Sequence, residues 1–156
     1  LRGIRLNVFG RATSSIFYNG RETEGISMIA VQADYMLNCQ GCHLPDGRGF
    51  PERQVPDLRK QMGRFLSVPG GREYLVQVPG AAQTALADAD LARLLNWMLN
   101  SFSAAEVPGD FQPYTAAEVG LLRQHPLASP SSIRVELLVQ IARHEQMQPA
   151  GDMPHE

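Results

Sequence analysis

Residues 39–43 read Cys-Gln-Gly-Cys-His, and Cys39 and Cys42 are the only cysteines in a chain of 156 residues. C-x-x-C-H is the pattern by which haem is fastened covalently to a polypeptide. Each thiol adds across one vinyl group of the porphyrin to form a thioether, the two intervening residues set the sulfurs at the spacing of the vinyls, and the histidine that follows is aimed at the iron. Whatever else the chain does, its fold has to make room for a porphyrin beside these five residues. The motif consumes the whole thiol inventory. One possible cysteine pair in so long a chain argues against a disulfide framework. A structural zinc site needs a second ligand cluster, and no second C-x-x-C or H-x(3–5)-H is present. A thioredoxin-like dithiol belongs at a strand-to-helix junction among alternating strands and helices, a pattern this sequence lacks.

Length fits one globular domain with appendages. A formal net charge of -2, with a single lysine among fourteen basic residues, gives no case for nucleic acid. The charge is unevenly spread. Arg48, Arg53, Arg59, Lys60, Arg64 and Arg72 face only Glu52 and Asp57 within residues 48–72, whereas seven acids accompany three arginines from Ala104 onward. The basic stretch reads as a docking face for an acidic partner, as cations for the haem propionates, or as an ordinary solvated surface. No run of eighteen apolar residues exists, so the chain is expected to be soluble.

Three parts follow from a pass along the chain: residues 1–33 as an N-terminal extension or altered leader, 34–104 as the haem domain, and 105–156 as a helical C-terminal extension with a disordered tail from Gln148. Val31-Gln32-Ala33 has the small-residue ending of a signal cleavage site, although residues 1–25 lack an apolar stretch before it. Asp34 is expected to cap a short helix that delivers the cysteines. Leu44 to Gly49 is turn-rich. A helical stretch is expected from Val55 to about Leu66, ended by Pro69-Gly70-Gly71, and Tyr74 to Val78 reads equally as extended or helical. Leu91, Leu94, Leu95, Met98, Leu99 and Phe102 fall on one face of a helix opened by Asp88 or Asp90. Trp97 flanks that stripe as a core residue. Thr115 and Glu118 form a capping box before a short helix, and a last helix runs from about Ser132 to Gln146 with Ile133, Leu137, Leu138 and Ile141 on its apolar face.

In this order of features, residues 34–102 resemble the class I cytochrome c family: a helix ending in Cys39-Gln40-Gly41-Cys42-His43, a glycine-containing loop, Pro56 followed by Asp57-Leu58, and a final amphipathic helix from Asp88 to Phe102. The resemblance implies an all-α fold around one covalently bound haem c, with Cys39 and Cys42 as attachment sites, His43 as proximal iron ligand, and the Pro56 carbonyl accepting the other N–H of that histidine. It also implies haem attachment on the outer side of the bacterial cytoplasmic membrane, hence a periplasmic protein. Pro56 reads equally as a residue that starts a helix.

Family members usually place a methionine in the loop before the last helix as sixth iron ligand. Here that loop, residues 78–86, contains none. Met62 is the first alternative, against a reading as core filling. Met36 and Met98 look like packing residues, His125, His144 or His155 could reach the iron if the C-terminal extension folds back, and Gln83 could approach as a weak oxygen or nitrogen ligand or through water. The position could also be empty. Two functions are therefore expected: a monohaem electron carrier between redox protein partners such as a dehydrogenase, reductase or oxidase, with no catalytic residues, or a haem protein with an open iron position that binds a small ligand. A third variant makes the chain the cytochrome subunit of a periplasmic dehydrogenase, gripped through its C-terminal helices.

Overall fold

The structure is a computed structural model that describes residues 22–147. The N-terminal extension before Glu22, the tail from Gln148 and His155 lie outside the described residues. Six α-helices follow in order among the described residues: α1 (Glu22–Asn38), α2 (Gly71–Gln77), α3 (Pro79–Ala82), α4 (Asp88–Phe102), α5 (Ala116–Leu122) and α6 (Pro130–Met147). Short 3₁₀ turns lie at Pro51–Arg53, Met62–Ser67 and Ala104–Glu106. Among the described residues the only β pairing is the isolated bridge of Phe50 with Val55, so the all-α expectation holds. No described helix is long and apolar enough to cross a membrane.

α4 forms as its spacing requires, burying Leu91, Leu94, Leu95, Met98 and Leu99, with Asp88 and Asp90 in its first turn. It meets α1 at a cluster of aromatic rings. Tyr35 lies 5.5 Å from Trp97 and 5.2 Å from Phe102 by ring centroids, and Trp97 and Phe102 lie 5.5 Å apart, edge to face. Trp97 is thus a core-flanking residue, as expected. The rings also hold the segment that follows His43. Tyr35 donates through its hydroxyl to the Leu44 carbonyl at 2.8 Å. Gly47, at φ +83°, sits so close to Phe102 that a Cβ would lie 2.9 Å from its ring. The Leu58 N–H donates to the Gly47 carbonyl and the Lys60 N–H to that of Phe102.

These ties correct two sequence expectations. Asp34 does not cap a helix: α1 starts twelve residues earlier, at Glu22, and the Asp34 carboxylate accepts from Arg93 of α4 at 2.9 Å. Val31, within the same helix, is buried in the core. Residues 55–61 are not helical, because the Leu58 and Lys60 amides are spent on Gly47 and Phe102 and Lys60 takes φ +55°. Only Met62–Ser67 winds, as a 3₁₀ turn. The Tyr74–Val78 ambiguity resolves as helix.

The C-terminal segment shares the same core. The Thr115 hydroxyl caps α5 by accepting from the Glu118 N–H, while the Glu118 carboxylate turns to Arg72 of α2 at 2.5 Å. Arg72 also lies over the Tyr114 ring at 4.3 Å, and the Tyr114 hydroxyl donates back to the Arg72 carbonyl. Leu137 and Ile141 of α6 are buried.

Gly47→Ala is expected to cost about 2 kcal/mol, since the added methyl meets both an unfavourable φ and the Phe102 ring, and urea unfolding reads this directly. Arg72 holds the Glu118 carboxyl below its ordinary value of 4.5. Stability from this pair is therefore complete above pH 4.5 and is lost as pH falls through the lowered value. Glu118→Gln is expected to remove about 1 kcal/mol at pH 7 and to flatten the acid limb of the plot of unfolding midpoint against pH.

Candidate functional site

The chain turns sharply after α1. The amides of Cys39 and Gln40 donate to the Tyr35 carbonyl, and those of Cys42 and His43 to that of Cys39, so the motif forms one continuous turn that brings Cys39, Cys42 and His43 to a single cleft. Asn38 and Thr84 sit on the same cleft, joined by a 3.0 Å hydrogen bond from the threonine hydroxyl. Its walls are apolar: Leu58 and Met62 from the loop after the motif, Leu75 of α2, Val78 and Ala81 around α3, and Leu91, Leu94, Leu95 and Met98 of α4. A second cavity adjoins it, sharing His43, Leu58, Met62, Leu75, Val78 and Gly80 and reaching Gln54, Pro56, Gln61 and the first turn of α6.

Burial pushes the Cys39 thiol up to about 11, with the neighbouring Cys42 adding to the effect, so this sulfur stays protonated at neutral pH. Cys42 is exposed. Burial lowers the His43 imidazole below its ordinary value, opposed in part by the Pro56 backbone and by Asp57. The ring is therefore neutral at pH 7, the state in which imidazole binds a metal. Its Nδ1 is buried without a hydrogen-bond partner of normal geometry. Two thiols, a neutral imidazole and an apolar cleft fit a covalently held porphyrin with iron, and the unsatisfied Nδ1 beside Pro56 fits a ligand whose second nitrogen needs an acceptor.

Of the other expected site residues, Pro56 lines the second cavity and Met62, 3% exposed, lines both. Met98 is buried as expected but also faces the cleft. Met36 is solvent-exposed and does not pack. Gln83 is exposed and does not reach the cleft. His125 is exposed at the end of α5, and His144 lines a separate groove with Lys60, Arg64 and Glu145. Neither histidine lines the cleft at the motif: α5 packs on α4 and leaves His125 exposed, and the end of α6 lies against the Met62–Ser67 turn through Glu145 and Arg64.

The basic stretch is mostly neutralised within the molecule. Arg48 pairs with Asp46, Arg59 with Asp46 and Asp57, Arg64 with Glu145, and Arg72 with Glu118, leaving Arg53 and Lys60 without a carboxylate among the described residues. Two arginines outside that stretch matter more to the site. Arg123 of α5 donates to the carbonyls of Ala82, Thr84 and Leu86 and pairs with Asp88, fixing the segment between α3 and α4 that walls the cleft. Arg134 of α6 lines the second cavity. Nothing in the sequence marks either, since their partners are backbone groups or rings brought near by folding.

Arg123→Ala is expected to release this wall and lower stability by about 2 kcal/mol, several backbone carbonyls losing a charged donor together, measured by chemical denaturation. Hydrogen exchange is expected to rise in residues 82–88 ahead of the rest of α4.

No protein-family model matches the chain, and no solved structure matches it significantly. Two curated proteins, both named Cytochrome c-552 and both from Thermus thermophilus, are similar to it. Each is 30% identical over 122 residues, spanning 67% of this chain and 92% and 81% of the relatives respectively.

Proposed function

The chain belongs to the class I c-type cytochrome family and carries haem c, and from that premise we propose that it is a one-electron carrier between redox proteins in the periplasm. The observation that supports this reading is the convergence of Cys39, Cys42 and His43 on one apolar cleft. Residues 34–104 supply the attachment site and most of the walls, and residues 105–147 close the site from outside.

Haem c supplies a ferrous–ferric couple when bound. The chain's residues do the rest. Cys39 and Cys42 would each hold the group by adding S–H across one vinyl double bond, sulfur to the carbon next to the ring and hydrogen to the terminal carbon, with no net gain or loss of electrons. His43 would hold the iron through Nε2, leaving the buried Nδ1–H to find its acceptor in the nearby Pro56 carbonyl, a bond that would fix the ring plane and raise the basicity of the ligand. Leu58, Leu75, Leu91, Leu94 and Leu95 exclude water and disfavour the more highly charged ferric state, raising the potential. Met62, buried and lining the cleft together with His43, is the residue whose thioether would serve as sixth ligand. The partners are a dehydrogenase, reductase or oxidase, met through short-lived contacts.

One observation favours a second reading, a haem with an open sixth position. Where relatives of this fold class carry a methionine loop, residues 78–86 form the short α3 and a turn with no sulfur. Carbon monoxide separates the two. The dithionite-reduced protein is expected to show a low-spin spectrum unchanged by CO, and Met62→Ala is expected to become CO-sensitive with a lower potential. Ready CO binding by the wild type replaces the carrier reading with small-ligand binding. His43→Ala is expected to keep its haem through acid–acetone extraction but to lose the low-spin spectrum, whereas the double variant Cys39→Ala/Cys42→Ala loses the haem on extraction.

A further inference from the structure

We propose that Arg134 of α6 is the residue that holds a haem propionate, so that the C-terminal helix is part of the cofactor site; this rests on the covalent-haem reading above. A porphyrin tied by its vinyl groups at Cys39 and Cys42 places its two propionate carboxylates toward the opposite edge of the ring, away from the thioethers. The cleft at the cysteines is apolar; the cavity adjoining it through His43 is mostly apolar as well but adds the polar groups of Gln54, Asp57, Gln61, Ser131 and Arg134, with the Asp57 carboxylate already paired to Arg59.

Arg134 is the one arginine or lysine that lines that cavity among the described residues. Its guanidinium carbon lies 5.2 Å from the centre of the Phe65 ring, and Phe65 is stacked on Tyr74 at 5.1 Å, so the head group rests on a rigid aromatic platform instead of swinging in solvent. Four other half-buried arginines, Arg64, Arg72, Arg93 and Arg123, each pair with a carboxylate. Arg134 has none among the described residues. A partly desolvated guanidinium without an anion is costly unless one arrives, and a planar fork is well matched to a carboxylate. The cations of residues 48–72, the sequence-level candidates for this task, are mostly committed elsewhere: Arg48, Arg59, Arg64 and Arg72 all have carboxylate partners. Gln61 is likewise engaged, accepting from Arg64 at 2.8 Å.

The test uses the full-length, haem-loaded protein. Acid–acetone extraction comes first: if the wild type releases its haem, the covalent-haem reading fails and this inference falls with it. With haem retained, Arg134→Gln is expected to shift the reduction potential negative, because a propionate stripped of its cation stabilises ferric iron, and Arg134→Lys is expected to recover most of the shift. Arg143→Gln, an exposed cation on the same helix, is expected to leave the potential unchanged. A wild-type potential in Arg134→Gln, accompanied only by a lower unfolding midpoint, overturns the proposal and leaves Arg134 as a prop for Phe65. If Arg134→Gln fails to accumulate with haem, resonance Raman of Arg134→Lys decides. Its propionate-bending band is expected to move when the fork becomes a single ammonium, and an unmoved band overturns the proposal.

Discussion

Everything in this molecule hangs on the crossing of α1 and α4. Tyr35, Trp97 and Phe102 interlock there, and the two backbone groups that matter most to the site, the Leu44 carbonyl and Gly47, are fastened to the same rings. The motif emerges from the end of α1 and the loop after it is pinned against the end of α4. The position of His43 is therefore set by helix packing, not by local turn preference. Rigidity of this kind suits electron transfer, because a site that moves little between oxidation states loses little energy to reorganisation.

The C-terminal segment acts as an outer brace. Arg72 is the hub on one side, joining Glu118, the Gln112 carbonyl and the Tyr114 ring; Arg123 is the hub on the other, gathering the carbonyls between α3 and α4. Both use the several donors of a guanidinium to tie irregular backbone that has no helix to satisfy it. A lysine at position 123 would bring a compact ammonium in place of the planar fork that reaches the separated carbonyls of Ala82, Thr84 and Leu86. Within the basic stretch, Arg64 and Arg72 serve such tethers to distant carboxylates, while Arg48 and Arg59 pair locally at the surface.

What the sequence made legible was whatever depended on near neighbours. The apolar stripe of α4 and the Thr115 cap are both read within a few residues and stand as expected, although Glu118 gives its carboxylate to Arg72 instead of closing a full capping box. Misreadings arose where distant partners decided the outcome. Asp34 looks like a cap until Arg93, fifty-nine positions away, claims it. Residues 55–61 look helical until Gly47 and Phe102 take their amides. Arg123 and Arg134 carry no local signature, because their roles exist only once α5 and α6 have folded back. His125 and His144 failed for the opposite reason: their chemistry was suggestive and their placement was not.

The cavity beside His43 draws its last wall from the beginning of α6, nearly ninety residues after the motif. In a chain that emerges from its N-terminus, the two thiols and the imidazole are all available well before that wall arrives. The motif and the wall that completes its neighbouring cavity thus stand at opposite ends of the described chain, and the cavity exists as such only while α6 is docked.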